Sequence, residues 1–576
     1  MSYPLSKAKS EIINLLKNSL SELKYKCDIK LEIPYKKMGD YSFPCFNIAK
    51  IEKKSPELIA NNIINNIKKC KNIESIIHKG GYINFFLDKN LITNSTLKLI
   101  EEKNYNYGFL ENKKQKVIIE HTSANPNGPL HVGRARNPII GDTLVRIFKA
   151  AGFKVQSQFY LDDLGKQVAI LTWGINNLEK NIIKSSNKKE DHVYVEFYRL
   201  ANELMQKNKK IAEEINEIIK KSEIGDIDTL KIVHNAYSPI LKGINDSLNR
   251  ININIDSYIP ESKFIKDNSV YFVINKLKDL NYLEKEDKSF YIDLEPYGIK
   301  GRNTRFFLTR NDGTTLYATR DIAYHIWKNN EADILINILG EDHKLESKQV
   351  EIILDLLKIE NKPIPIFYSF VSMSGGKMST RKGRVVYLDD LISECISRAF
   401  IEVKKRRGDE LSDNKMKNIS EIIGIGALRY NIIKVQPEKD IIFNWDDALN
   451  FEGNSAPFIQ YSYARACGIS SKINIKNENT VPNYSLLKHK SEYEVIKNIA
   501  EFPIIIEEAY KNFKPHILAN YLYHIASNFN QFYRDCPVIS EENNELKKAR
   551  LMIVKGTKIV IKNGLNLLGI DAPNEM

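Results

Sequence analysis

Two short stretches of this chain gather side chains suited to polyphosphate. The first is Pro129-Leu130-His131-Val132-Gly133-Arg134, with Arg136 close behind. An imidazole and a guanidinium can donate to phosphate oxygens, and the glycine between them lets a ligand approach the backbone. The second is Ser374-Gly375-Gly376-Lys377-Met378-Ser379-Thr380-Arg381-Lys382-Gly383-Arg384, a glycine-hinged run with four cations. A triphosphate needs such charge on a hinge, because the loop can close over negative charge as it develops. Taken separately, each stretch also has a plainer reading: a structural turn before a basic helix start, and a basic surface loop.

Positioning the first stretch requires a strand, a turn and a helix. Val117, Ile118 and Ile119 form an apolar, β-branched run that reads as a buried strand. Asn125-Pro126, Asn127-Gly128 and Pro129 end it. Ile140, Leu144, Ile147, Phe148 and Ala151 then fall on one helical face, and Gly152 is a stop. This order puts a helix N-terminus at the carboxyl edge of a parallel sheet, where unpaired N–H groups and the helix dipole favour an anion. Further strands are expected at 153–161, 306–309, 334–339 and 366–371, and at Ile251, Ile253 and Ile255 by alternation. Gly340-Glu341-Asp342-His343 ends the 334–339 strand, and the second cationic stretch follows the last one.

Outside this core the pattern changes. Residues 175–250 read as a helical insertion rich in Lys, Glu and Asn with a solvated face. Residues 1–105 read as an α/β domain with an amphipathic first helix and a strand ending at Leu87, joined by the polar linker 111–116. From about Ile419 the chain is mostly helical, enough for a bundle.

Composition sets outer limits. With 576 residues there is room for three or four domains, and 43% hydrophobic content supports packed cores rather than disorder. A net charge of +13 suits a polyanionic partner, or reflects a lysine-rich proteome. The six cysteines form no C-x-x-C pair, which excludes zinc-finger spacing and argues against a disulfide framework. A polar N-terminus and the lack of a long apolar run give neither a signal peptide nor a membrane span, so a cytoplasmic location is expected.

In that order and context the pair of stretches, PLHVGR at 129–134 and KMSTR at 377–381, resembles the two signature motifs of class I aminoacyl-tRNA synthetases. Glu120-His121-Thr122-Ser123-Ala124-Asn125-Pro126, Gly81-Tyr82-Ile83-Asn84 and Leu316-Tyr317-Ala318-Thr319-Arg320-Asp321 narrow the resemblance to the arginyl-tRNA synthetases, over nearly the whole chain. The KMSTRKG form is similar to archaeal or bacterial members rather than eukaryotic ones. The resemblance implies an α/β multidomain protein. Residues 1–110 would be an N-terminal α/β domain that touches the tRNA elbow. Residues 111–445 would be a Rossmann-type parallel-sheet catalytic domain carrying the helical insertion, and 446–576 an all-helical anticodon-binding bundle. It further implies a monomer that uses ATP with Mg2+, without zinc, to join L-arginine to its tRNA, and an arginine activation that needs bound tRNA. Two positions depart from the motifs: Arg134 stands where the first usually has His, and Thr380 where the second has Lys, leaving Arg381 or Lys382 for that contact.

Site residues follow from residue chemistry and from the match. His131, Arg134, Lys377 and Arg381 are the catalytic candidates, acting on phosphate charge, with Gly133, Asn137 and Ser379 as further ATP contacts. His343 is either a nucleotide contact or a core histidine. A buried guanidinium needs carboxylates, and the match places Tyr317, Asp321, Glu261 and Glu120 around it, with Ser123 and Asn125 at the α-amino and carboxylate end. Asp321 also reads as a helix cap, and Glu261 as a solvated loop acid. Tyr82 and Asn84 share one strand face, suited to stacking on and reading an unpaired base. Tyr461 and Arg465 are candidates for the anticodon, although an aromatic at helical spacing also reads as core. The rival readings are another class I synthetase, a non-catalytic tRNA-binding paralogue and a small nucleotidyltransferase. A glutamyl or glutaminyl enzyme would want cationic or amide pocket residues, and a cysteinyl enzyme a zinc site.

Overall fold

At the centre of the molecule lies a five-stranded parallel sheet. A computed structural model describes residues 3–34, 38–68, 70–179, 189–301, 304–373, 387–473 and 482–576. The N-terminal unit precedes the sheet. Helix Pro4–Glu22 buries Leu5, Ala8, Ile12, Leu16 and Leu20, a 3.6-residue stripe, against an antiparallel sheet. That sheet has the order β1-β3-β2, with β1 Tyr41–Pro44, β2 Ile73–Lys79 and β3 Tyr82–Leu87. Gly80 and Gly81, both at positive φ, make the tight turn between β2 and β3, and a Cβ on Gly81 would lie 2.6 Å from Pro56.

The parallel sheet is built from β4 Lys116–Glu120, β5 Lys154–Leu161, β6 Ser257–Pro260, β10 Ile334–Gly340 and β11 Ile364–Tyr368, in the order β11-β10-β4-β5-β6. Between β6 and β10 runs a small antiparallel meander of β7 Glu284–Glu286, β8 Ser289–Asp293 and β9 Arg305–Phe307. From β4 the chain moves one way to β5, while β10 pairs on its other side. The order therefore reverses between β4 and β10, and the crevice beyond their carboxyl ends is where such sheets bind ligands. A separate parallel pair joins β12 Val371–Met373 to β13 Ile441–Phe443.

The strand expected at 251–255 is absent. Ile251 caps helix Ile227–Arg250 and Asn252 adopts φ +59, so the chain turns there and pairs only from Ser257. Ile251 and Ile253 are buried all the same, packed in the central core, which mimics a strand's alternation. The strand expected at 306–309 lies slightly earlier, as β9.

The insertion packs helices Glu190–Lys207, Lys209–Glu223 and Ile227–Arg250 on helix Lys166–Asn177. Its charges are not all solvated: Glu223 is buried, with both carboxylate oxygens accepting from Arg310 at 2.9 Å. Helices Leu388–Arg407 and Asp413–Ile433 lead to four long helices between Ala456 and Leu567. One apolar core runs from the central sheet into this bundle. Buried Arg429 fastens the junction by donating to Leu568 O at 2.7 Å, Ile251 O at 2.5 Å and the Asp142 carboxylate at 2.5 Å. Among the described residues all six cysteines are free thiols, and no helix is long and apolar enough to cross a membrane.

Candidate active site

Just past β4 the backbone is strained. Thr122 and Ser123 take φ +72 and +37, a conformation that costs a non-glycine residue roughly 1–3 kcal/mol. Two side chains hold it. Asn137 Oδ1 accepts from Thr122 N at 2.6 Å while its Nδ2 donates to Ile338 O at 2.8 Å, and Ser123 Oγ accepts from Tyr160 N at 3.1 Å. Asn137, expected as an ATP contact, is buried with its amide bonded to backbone, so it clamps the loop after β4 to β10. Asn125 Nδ2 and Asn127 Nδ2 both donate to Gln167 Oε1, fixing the bend that follows.

His121, beside this strain, packs its ring where a Cβ on Gly141 of the central helix Arg136–Ala150 would lie 2.4 Å away. Burial pushes its pKa down to about 4, so the folded state holds it neutral. The unfolded chain takes up a proton near pH 6.5 and the folded one only near 4. Stability from this group is therefore complete above about pH 6.5 and is lost as pH falls toward 4, by at most roughly 3 kcal/mol. Urea midpoints between pH 7 and 4.5 should fall more steeply for the unaltered protein than for His121→Gln, and equal slopes would exclude the effect.

His131 caps the turn 132–134 that opens the central helix. Its Nδ1 accepts from Gly133 N at 3.0 Å, so the neutral ring carries its proton on Nε2. Burial and then Arg134 push its pKa down, which favours that neutral donor. Arg134 is exposed beside it, whereas Arg136 is fully buried and donates to Ser369 O, Gln436 O and Lys439 O. Arg136 belongs to the architecture rather than to a phosphate site.

The second cationic stretch, including Lys377, Ser379 and Arg381, lies outside the described residues, but both its flanks are placed. On one side β12 packs against the 132–134 turn. On the other, Tyr387 forms an antiparallel bridge with His131, and Leu388 N donates to Leu130 O at 2.8 Å.

Beyond β4 and β10 opens a cleft whose walls include Glu120, Asp321, His343 and Glu346. Asp321 is the fifth residue of helix Tyr317–Asn329, so it is no cap. Burial opposes its charge, yet His325, Lys328 and His343 outweigh that and hold its carboxyl below the usual range. Tyr317, one turn earlier, is 57% exposed and hydrogen-bonds Glu346. His343 is no core residue: it is exposed, its Nδ1 is 2.7 Å from Glu346 Oε2, and that bond raises its pKa. Glu120 accepts from Ser123 Oγ at 3.2 Å and from buried Lys328 at 2.7 Å.

Glu261 departs from expectation. It is neither solvated nor open to the cleft, because its Oε2 lies 3.0 Å from Nε of Arg320, both side chains being 3% exposed. Burial raises the pKa of its carboxyl, and the Arg320 guanidinium beside it pulls the other way. The guanidinium beside Glu261 is thus one of the chain's own, that of Arg320.

Sequence reasoning missed Lys328, His325, Asn337 and Glu346. A signal existed for two of them: Asp321, His325 and Lys328 stand at i, i+4 and i+7, one helix face. The polar cluster Asp191, His192 and Asp389 has metal-like spacing, but Lys189 lies 3.1 Å and Arg250 3.2 Å from Asp389, so cations already fill it. In the N-terminal sheet Asn84 is 3% exposed, and of the expected pair only Tyr82 nears the surface, edge-on to Phe46. In the bundle Tyr463 is core, while Tyr461 is exposed with the Arg465 guanidinium 4.8 Å from its ring.

Comparison with known proteins agrees with this arrangement. Residues 96–445 match the family model described as tRNA synthetases class I (R), catalytic domain. Residues 10–87 match the arginyl tRNA synthetase N terminal domain, and 459–576 the DALR anticodon binding domain. The chain is 42% identical to an arginine–tRNA ligase of Methanocella arvoryzae, covering 92% of each. It is also 42% identical to one of Methanococcus aeolicus, covering 98% of this chain and 99% of the relative. Among solved structures it resembles the arginyl-tRNA synthetase of Thermus thermophilus, with TM-score 0.85 and 25% identity over 98% of this chain and 100% of that one.

Proposed function

The chain belongs to the arginyl-tRNA synthetase family, and from that premise we propose that it is an arginine–tRNA ligase whose site works as follows. A carboxylate oxygen of L-arginine attacks the α-phosphorus of ATP, and pyrophosphate leaves from the arginyl-adenylate. The 2′-oxygen of the terminal tRNA adenosine then attacks the arginyl carbonyl carbon, and AMP leaves. Neither step needs a protein nucleophile, so the protein's work is positioning and charge stabilisation.

His131 Nε2–H and Arg134 are the described donors for the phosphates, with Gly133 leaving room for close approach. Lys377, Ser379 and Arg381 join them by the family match. ATP brings Mg2+ held mainly by its own phosphates, in keeping with a phosphate side whose described groups at 131–134 are donors rather than carboxylates. Glu120, Asp321 and Tyr317 receive the guanidinium, with Ser123 and Asn125 at the other end of arginine. Glu346 joins this set, and Glu261 supports it from below through Arg320. Domain boundaries near 110 and 446 would give tRNA an elbow contact through Tyr82 and an anticodon contact through Tyr461 and Arg465. The protein would act as a cytoplasmic monomer.

The observation that carries the reading is the acidic cleft at the switch between β4 and β10, where Arg134 of the turn after β4 acts electrostatically on His343 of the cleft wall. A glutamate- or glutamine-activating site would need cations or amides there. ATP–pyrophosphate exchange is expected to require both arginine and its tRNA. Exchange supported equally by lysine or glutamine would overturn the assignment.

A further inference from the structure

Two of the cleft's carboxylates, Glu120 and Asp321, are joined underneath by a chain of buried polar groups. Lys328 Nζ, 0% exposed, donates to Glu120 Oε2 at 2.7 Å and to Asn337 Oδ1 at 2.8 Å, and sits 4.3 Å from the centre of the Tyr324 ring. Asn337 Nδ2 lies 2.9 Å from His325 Nε2. His325 Nδ1 lies 2.8 Å from Asp321 O and 3.2 Å from Asp321 Oδ1. The sheet and the helix both contribute: Asn337 is the direct register partner of Glu120 across β10 and β4, and the other three residues share one helix face.

The direction of every bond in this chain follows from what each group can do. An ammonium only donates, so the amide must turn its oxygen to Lys328 and its nitrogen to His325. The imidazole Nε2 must then accept, which leaves the proton on Nδ1, facing two oxygens of Asp321. Donation therefore runs one way, from Lys328 through Asn337 and His325 to Asp321, while a second branch from Lys328 ends on Glu120. The chain leaves no member without a partner, and flipping the amide would set donor against donor at Lys328 and acceptor against acceptor at His325.

We propose that Lys328, Asn337 and His325 form a positioning relay that sets the amino-acid specificity of the cleft. This rests on the ligase reading above. The relay acts in two ways. It pins the planes of Glu120 and Asp321, which a flat guanidinium needs for paired N–H···O bonds and a rotating ammonium does not. It also places a positive charge under the acidic wall, so that unspecific attraction of any cation is reduced and fit to fixed oxygens decides the outcome.

The test is ATP–pyrophosphate exchange with the full chain, arginine tRNA, and either L-arginine or L-lysine as the amino acid. Lys328→Met is expected to raise the arginine KM about tenfold or more, leave the ATP KM unchanged, and cut the preference for arginine over lysine about tenfold. His325→Leu, which removes only the Asp321 branch, should move the same quantities in the same direction by less. Melting curves identify folded variants, and if Lys328→Met does not fold, His325→Leu carries the test. Should the unaltered protein show no arginine-dependent exchange, the ligase reading falls and takes the relay with it. Arginine-dependent exchange with an unaltered preference in a folded variant, or with arginine and ATP KM rising together, overturns the relay alone.

Discussion

Exchanging His131 for alanine is expected to lower kcat for arginine-dependent exchange by about 10²- to 10³-fold while the melting temperature moves little. The expectation follows from how the ring is held. Its Nδ1 is committed to Gly133 N, so the remaining proton sits on Nε2 and points away from the turn. Burial and Arg134 keep the ring neutral, and a neutral donor gains most where negative charge grows during reaction rather than in the bound ground state. His131→Asn sharpens the test. An asparagine can accept from Gly133 N as a helix cap and still offer an N–H outward, so about a tenfold loss is expected in place of the larger one. Steady-state kcat and KM for ATP measure both variants. A loss below about fivefold for alanine, or one matched by unfolding, would remove His131 from the phosphate site.

What could be read from the residues alone was what local chemistry determines. The β-branched run 117–119 and the Asn-Pro-Asn-Gly turn gave β4, its bend and the helix that follows, because strand and turn propensities act over a few residues. Asp321 was recognisable because Tyr317 lies one turn away. The failures are non-local. Glu261 stands just after a strand, where a loop acid is usually solvated, and only the arrival of Arg320 from another element buries it. Lys328 looks like an ordinary lysine in the last turn of a helix, favourable to the dipole and free in water. Nothing within the helix says that Glu120 and Asn337 will close over it. The clamp made by Asn137 is non-local in the same way, since its side chain is held by Thr122 of the loop after β4 and by Ile338 of β10.

The same dependence on distant partners explains where the cleft sits. Glu120 ends β4 and His343 follows β10, and the two strands are neighbours only because the sheet reverses its order between them. A site that must hold a cation and a polyphosphate side by side needs opposite potentials a short distance apart. The reversal brings the carboxyl end of β4, with Glu120 and the chain that leads to the His131 turn, beside the carboxyl end of β10, with Glu341, Asp342 and His343.

That need for opposite potentials makes Asp321→Asn the sharpest probe of the amino-acid side. The change is nearly isosteric, and an amide oxygen can still accept from His325 Nδ1, so the scaffold beneath survives and the charge alone is lost. The arginine KM is expected to rise about 10²-fold with the ATP KM unchanged, since a charge-assisted pair to a guanidinium is replaced by a neutral contact. Glu261→Gln should behave in the opposite way. Its carboxylate faces Arg320, so the loss should appear as a lower melting temperature with a small change in arginine KM. Steady-state kinetics and thermal melts of the two variants side by side separate a group that meets the substrate from one that holds the wall behind it. If Asp321→Asn raises both KM values equally, the carboxylate does not read the guanidinium. If Glu261→Gln raises the arginine KM as strongly at unchanged stability, the ion pair with Arg320 opens in the working enzyme and Glu261 turns into the cleft.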